Sequence, residues 1–220
     1  HDAVLTVTEE DRGHLLALME DFGLKIEDRK ITPIPICVDP EQVAAVPREG
    51  GGPPTILHLG TMFWPPNVAG VLWFSREVLP RVWEAGPEAR FVIVGKNPPA
   101  EVQALAADPR IAVTGYAPDA RPYLAAADAF VVPLHAGGGM RVKILDAWLW
   151  GLPVVSTPIG AEGIEVRDGE NILIADGAEA FARATVRVLS DGGLNAGLRA
   201  AGRAWVEEKA HACILGSDRG

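Results

Sequence analysis

Cysteine is almost missing: only Cys37 and Cys213 occur, far apart and in no metal-ligand spacing. That argues against a disulfide scaffold or a cysteine zinc site and fits a reducing compartment. Basic residues are also few, 20 Lys and Arg against 29 Asp and Glu, for a net charge of −9. Binding to nucleic-acid phosphates needs a basic footprint, so this balance argues against a nucleic-acid partner. A local basic spot for one small phosphate ligand is still allowed. No apolar run approaches the ~18 residues that cross a bilayer, and no secretory leader pattern is present. No transmembrane segment is expected, and the expected location is cytoplasmic. An initiator methionine is absent too: the chain starts at His1, already close to a strand-like run. We therefore expect a fragment or a trimmed chain.

What is present is apolar and evenly spread. Hydrophobic residues make up 48% of the 220 residues and charged ones 22%. That is enough for one good-sized α/β domain with some extra elements, and it leaves no disordered stretch. The 24 Gly and 18 Pro fall between apolar runs, as loop punctuation does.

Val4 to Thr8 reads as a short strand, with Thr8 capping a helix that runs to Phe22 and stops at Gly23. Lys30 to Pro35 reads as a second strand. Residues 37–54 are rich in Pro and Gly and form the best linker candidate. From Thr55 onward strands and helices alternate. The predicted strands are Thr55–Leu59, Arg90–Val94, Ile111–Thr114, Ala129–Pro133, Pro153–Ser156 and Ile172–Ile174. The predicted helices are Asn67–Trp83, Ala100–Ala107, Arg121–Ala126, Met140–Trp150, Ala178–Ser190 and Leu194–Glu208, followed by a tail over 209–220. Runs such as ILHL, FVIV and AFVV suit strands buried on both faces of a parallel sheet. The fold class expected is α/β, a Rossmann-like doubly wound parallel sheet over residues 55–208.

Ligands of such sheets bind beyond the carboxyl ends of the strands. Four successive strand ends here carry glycine: Gly60-Thr61, Gly95-Lys96, Gly115-Tyr116 and Gly137-Gly138-Gly139. The last opens GGGMRVKILD, which leads from a buried strand into a helix. Free amides and a partial positive charge at a helix start suit a phosphate. Arg141 in the first turn adds a forked cation, and Lys143 and Asp146 share a helix face. The plainer reading is a glycine turn followed by a surface Lys143–Asp146 ion pair. Against it, a cation in a first turn opposes the helix dipole and so answers an anion. The helix is also anchored by the apolar end Ala147-Trp148-Leu149-Trp150.

Residues Gly137–Thr157, GGGMRVKILDAWLWGLPVVST, resemble the donor-site signature of the family 4 (group 1) glycosyltransferases, which have the GT-B fold. ILHLGTMFWPPN, RFVIVG and IAVTGYAPDARPYLAAADAFVVPL resemble further parts of the C-terminal domain, in order. ITPIPICVDP resembles the interdomain linker and VTEEDR the close of the N-terminal domain. The resemblance implies a hexosyltransferase that takes its sugar from a nucleotide-diphosphate donor, with retention, without metal and without a cofactor besides that donor. It implies a setting in cell-envelope or polysaccharide biosynthesis. Residues 1–36 would be a remnant of the N-terminal domain, whose absent part would bind the acceptor. This chain would bind nucleotide but transfer little by itself. Asp146 would hold the donor ribose; the amides of Met140, Arg141 and Val142 would lie near the diphosphate. Gly60 and Thr61 would approach the phosphates, and Gly115, Tyr116 and Ala117 would lie along the base.

Two departures stand out. The first acidic residue of the usual pair falls at Gly138, which has no side chain, and the usual Lys-Gly after the first strand is replaced by Trp64-Pro65-Pro66-Asn67. Arg141 and Lys143 are the candidates to replace that lysine. A nucleotide-sugar epimerase, a phosphorylase or a non-catalytic nucleotide-binding module are the competing readings; no lysine stands in a pyridoxal-type motif. His135 lies at the mouth of the expected site, with a satisfied loop histidine as its plainer reading. His58 reads as structural, and the tryptophans as packing residues.

Overall fold

A computed structural model of the chain describes residues 4–6, 9–24, 30–33, 52–137 and 142–217. Thr8 as a cap, most of the linker, and Gly138, Gly139, Met140 and Arg141 lie outside the described residues.

Two strands near the start, β1 (Val4–Thr6) and β2 (Ile31–Pro33), pair in parallel around helix α1 (Glu9–Asp21). They form their own two-stranded sheet. The main sheet has six parallel strands: β3 (Thr55–Leu59), β4 (Arg90–Val94), β5 (Ile111–Gly115), β6 (Ala129–Val132), β7 (Val154–Ser156) and β8 (Leu173–Ile174). Their spatial order is β5-β4-β3-β6-β7-β8. The chain winds outward from β3 in one direction, returns to β6 beside β3, and winds out the other way. This is the expected doubly wound fold, with its switch point between β3 and β6.

The helices are α2 (Pro65–Trp73), α3 (Leu79–Ala85), α4 (Ala100–Gln103), α5 (Arg121–Ala126), α6 (Val142–Leu149), α7 (Ala178–Ser190) and α8 (Gly192–Ser217). They cover both faces of the sheet, which is why the strands are continuously apolar. Alternate residues serve opposite cores. Ile56, Phe91, Ile93, Ala129 and Val131 pack with Phe74, Val78 and Phe181. Leu57, Val94, Phe130, Val132 and Val154 pack with Leu145 and Trp148 on the other side. Each fully buried large side chain stabilises the fold by roughly 1.5–3 kcal/mol relative to exposure.

Two helices differ most from expectation. The helix predicted over 67–83 starts at Pro65 and is divided by a π-helical segment, Phe74–Val78. Prolines fit the first turn because their missing N–H groups would be orphans there. The Ser75 hydroxyl donates to the Val71 carbonyl at 2.7 Å, a side-chain bond that competes with the regular ladder. Helix α8 begins at Gly192 and runs on to Ser217, so residues 209–217 of the expected tail are helical. No proline interrupts it, although Gly197 and Gly202 lie inside it, and Lys209 pairs with Glu165 at 2.8 Å.

Candidate functional site

The site is built from loops at the carboxyl ends of β3, β5 and β6. Backbones come very close there. A Cβ on Gly95 would lie 1.8 Å from the carbonyl oxygen of Gly60. Gly95 therefore serves a backbone-to-backbone packing contact, not the ligand approach expected of it.

The loop after β6 is held from three sides. Gly70 of α2 packs so tightly on it that a Cβ would stand 2.5 Å from the Pro133 carbonyl oxygen. The buried Thr157 hydroxyl, just past β7, donates to the Leu134 carbonyl. His135 meets Trp73 edge to face, ring centres 4.3 Å apart. His135 is an exposed loop residue with its ring against Trp73.

Helix α6 follows, and its far end is firmly anchored. Trp148 is fully buried, and a Cβ at Gly202 of α8 would fall 2.4 Å from its ring. Arg203 and Arg199 of α8 donate to the carbonyls of Leu149 and Gly151. Two cations at this end complement the helix dipole. Gly151, at φ 72, closes the helix: its amide and that of Leu152 return to Trp148 and Ala147. This is the αL glycine ending of a Schellman turn, and it explains the Gly-x-Pro that follows the helix in sequence.

The near end of α6 carries the charged groups. Val142 is its first residue. The Lys143 ammonium crosses to α2 and donates to Asn67 Oδ1 at 2.7 Å. Asn67 Nδ2 in turn donates to the Thr61 carbonyl at 2.9 Å. Gly60 lies beneath; its Cβ, if present, would be 3.0 Å from Lys143 Nζ. Below in β3, His58 is fully buried, and its Nδ1–H donates to the Val131 carbonyl at 3.0 Å. Burial first, and the nearby Lys143 charge second, lower the His58 pKa to about 3, against the opposing effect of that hydrogen bond. His58 is thus neutral at physiological pH, a structural residue as expected.

Lys143 and Asp146 open onto one cavity of about 470 Å³, together with Leu59, Pro118, Asp119, Arg121 and Trp150. Asp146 reaches solvent at the cavity mouth, yet desolvation by its surroundings raises its carboxyl pKa above the ordinary aspartate value. Arg121 grips Asp119 through two nitrogens, at 2.9 and 2.8 Å. Gly115, Tyr116 and Ala117 stand just before this lining segment; Tyr116 is 70% exposed. Gly137 is exposed, at φ 114, on the last described turn of the loop. The structure therefore brings Gly60, Thr61, Val142, Lys143 and Asp146 together, while Gly138, Gly139, Met140 and Arg141 lie outside the described residues. Asn67, Thr157 and the Asp119–Arg121 pair were missed as site residues. The signal for Asn67 was an amide buried three residues into a helix behind two prolines. Among the described residues no group of three or more His, Cys, Asp and Glu could hold a metal ion.

A family model described as glycosyl transferases group 1 matches residues 53–191. The chain belongs to the group 1 glycosyltransferases. It is 38% identical over 109 residues to the lipopolysaccharide core biosynthesis glycosyltransferase LpsE of Rhizobium meliloti, covering 49% of this chain and 29% of that protein. The chain spans 29% to 35% of the length of the curated relatives it matches. Among group 1 and other GT-B structures, TarM of S. aureus superposes with a TM-score of 0.79 at 17% identity, over 98% of this chain and 42% of that one. Anabaena HepE, solved with UDP and glucose, gives 0.71 at 13% identity over 100% and 63%. At such identities the likeness is one of fold: the C-terminal half of a GT-B architecture.

Proposed function

We propose that this group 1 glycosyltransferase chain is the donor-binding half of an enzyme that moves a sugar from a nucleotide diphosphate to an acceptor, with retention and without metal or cofactor. The observation that carries the reading is the pairing of a Lys143 cation with an Asp146 carboxylate on one cavity at the switch point. Cation and acceptor are what a nucleotide asks for: charge for the diphosphate, and a carboxylate to accept from two ribose hydroxyls. In this reading Arg141, Lys143 and the amides of Met140, Arg141 and Val142 hold the diphosphate. Gly137, Gly138 and Gly139, lacking side chains, suit its close approach, as do Gly60 and Thr61. The base lies along Gly115, Tyr116 and Ala117 and into the apolar lining near Leu59 and Trp150. Fixed cations and amides stabilise the charge that develops on the departing diphosphate, the role a metal would otherwise serve.

Two names support the wider setting. HepE was solved with UDP and glucose, and LpsE is named for lipopolysaccharide core synthesis. Cell-envelope polysaccharide assembly from the cytoplasmic side is the proposed context. Among the described residues no helix is long and apolar enough to cross a membrane. The acceptor would be held mainly by an N-terminal domain of which residues 1–36 are a part, with 37–54 as the linker. Supporting that, α1 and its end expose Leu18, Phe22 and Leu24, an apolar set suited to a larger body.

Calorimetric titration with UDP, GDP and ADP, with and without magnesium, tests the reading. Binding of one of them without metal, weakened in Asp146→Ala and in Arg141→Ala, is expected. Binding of none of them would overturn it. The chain alone should transfer little sugar, and robust transfer would refute the assignment of the acceptor site to a second domain.

A further inference from the structure

Asn67 ends the Trp64-Pro65-Pro66-Asn67 run that stands where the family has its Lys-Gly, and it joins both walls of the crevice. It is 3% exposed, in the first turn of α2, where its own amide donates to the Trp64 carbonyl at 3.0 Å. Its side chain accepts from Lys143 Nζ of α6 at 2.7 Å and donates to the Thr61 carbonyl after β3 at 2.9 Å. A carboxamide is the side chain that does both at once while adding no charge. A carboxylate there would cancel the ammonium; an aliphatic side chain would take this acceptor away from it.

The floor is shaped to the same purpose. Any side chain at Gly60 would begin 2.7 Å from Asn67 Nδ2 and 3.0 Å from Lys143 Nζ. Both groups would have to move. We infer that Asn67 is a positioning residue: over the bare backbone of Gly60 it fixes the Lys143 ammonium where the donor's diphosphate arrives, a role that rests on the donor-site reading. A cation already held in place loses less freedom when the phosphate binds. The residue acts through Lys143, so it affects phosphate recognition and leaves base and ribose recognition alone.

The test is a double-mutant cycle read with two ligands. Wild type, Asn67→Ala, Lys143→Ala and the double variant are titrated with whichever of UDP, GDP and ADP the wild type binds, and with the matching nucleoside. Asn67→Ala is expected to lower diphosphate affinity about tenfold, the scale of one charge-assisted contact, with nucleoside affinity unchanged. On the Lys143→Ala background the same substitution is expected to cost nothing more, because its partner is gone. Unchanged diphosphate affinity in Asn67→Ala would overturn the inference. So would losses that add across the cycle, or an equal loss for nucleoside, since each marks a purely structural role. If Asn67→Ala does not fold, the isosteric Asn67→Asp serves, with the same selective loss expected as its carboxylate neutralises Lys143. A wild type that binds none of the three diphosphates would bring down the donor-site reading itself, an outcome seen before any variant is made.

Discussion

The two ends of the central sheet use the same residue types to opposite purposes. At the amino ends of the strands, Asp128 Oδ2 accepts from the Thr55 amide at 2.8 Å. Asn195 of α8 donates to the carbonyls of Asp128 and Val188 at 2.9 and 3.0 Å. Arg199 donates to Gly151 at 2.7 Å, to Ala127 at 3.1 Å and to Asn195 Oδ1 at 2.7 Å. Every one of these bonds returns to the protein, most of them to backbone. At the carboxyl ends, Lys143, Asp146 and Arg121 surround a cavity. An aspartate, an asparagine and a cation tie strands together at one end; at the other, aspartates and cations line the cavity proposed to take the nucleotide. Parallel strands with their helices on both faces leave their carboxyl ends as the place where loops diverge and a crevice forms.

That contrast can be broken from either side, and the largest effects belong to the closed end. Asp128→Ala leaves the buried Thr55 amide without its acceptor and should cost about 3 kcal/mol of stability in urea unfolding. Nucleotide affinity of the folded fraction should not change. Arg199→Ala, which removes three bonds from a half-buried guanidinium, should cost about 2 kcal/mol, again without an effect on binding. A loss of nucleotide affinity in either variant would show that the two ends are coupled.

At the open end the pattern should invert. Asp146→Ala should weaken nucleoside binding about tenfold, or about 1.4 kcal/mol, and leave Tm equal or higher. Its carboxyl pKa is raised in the fold by desolvation, so folding disfavours the ionised form, and stability due to this group is lost as pH rises through the folded value. A Tm well below wild type would place Asp146 with the structural residues. His58 sharpens the boundary between the two regions. Its folded pKa of about 3 lies below the usual 6.5, so the unfolded chain takes up a proton that the fold refuses. Stability from this group should therefore fall by about 1 kcal/mol over the first pH unit below 6.5, and go on falling toward the folded value. Comparing unfolding curves of wild type and His58→Asn across that range checks it; equal slopes would contradict a neutral buried imidazole. The smallest effect is expected far from both ends. Arg183→Ala breaks an exposed ion pair with Glu179 on α7 and should leave Tm where it was.

How far the sequence spoke depended on the range of the interaction. Strands Thr55–Leu59 and Arg90–Val94 and helices Arg121–Ala126 and Ala178–Ser190 were legible to the residue, because unbroken apolar runs and turn glycines are local signals. The π-helical segment was not; its Phe74 packs on Phe91 and Phe181 from other elements, at 4.7 and 5.7 Å, contacts that no local pattern records. Of the site, Lys143 and Asp146 were legible from their spacing on one helix face. Asn67 was not, because 76 residues separate it from Lys143. The value of Gly95 was misjudged for the same reason: what it avoids is the carbonyl of Gly60, just past the end of the neighbouring strand β3.

By itself the sequence determined the alternation of buried strands with helices, the glycine-led entry to α6, and the family signature from Gly137 to Thr157, all written in short-range pattern. The tertiary structure alone decided which loops meet at the switch point, which cation crosses to which amide, and which aspartate faces a cavity. Those outcomes depend on packing between segments far apart in the chain, where a shift of an ångström separates a contact from a clash, and no local periodicity records such distances.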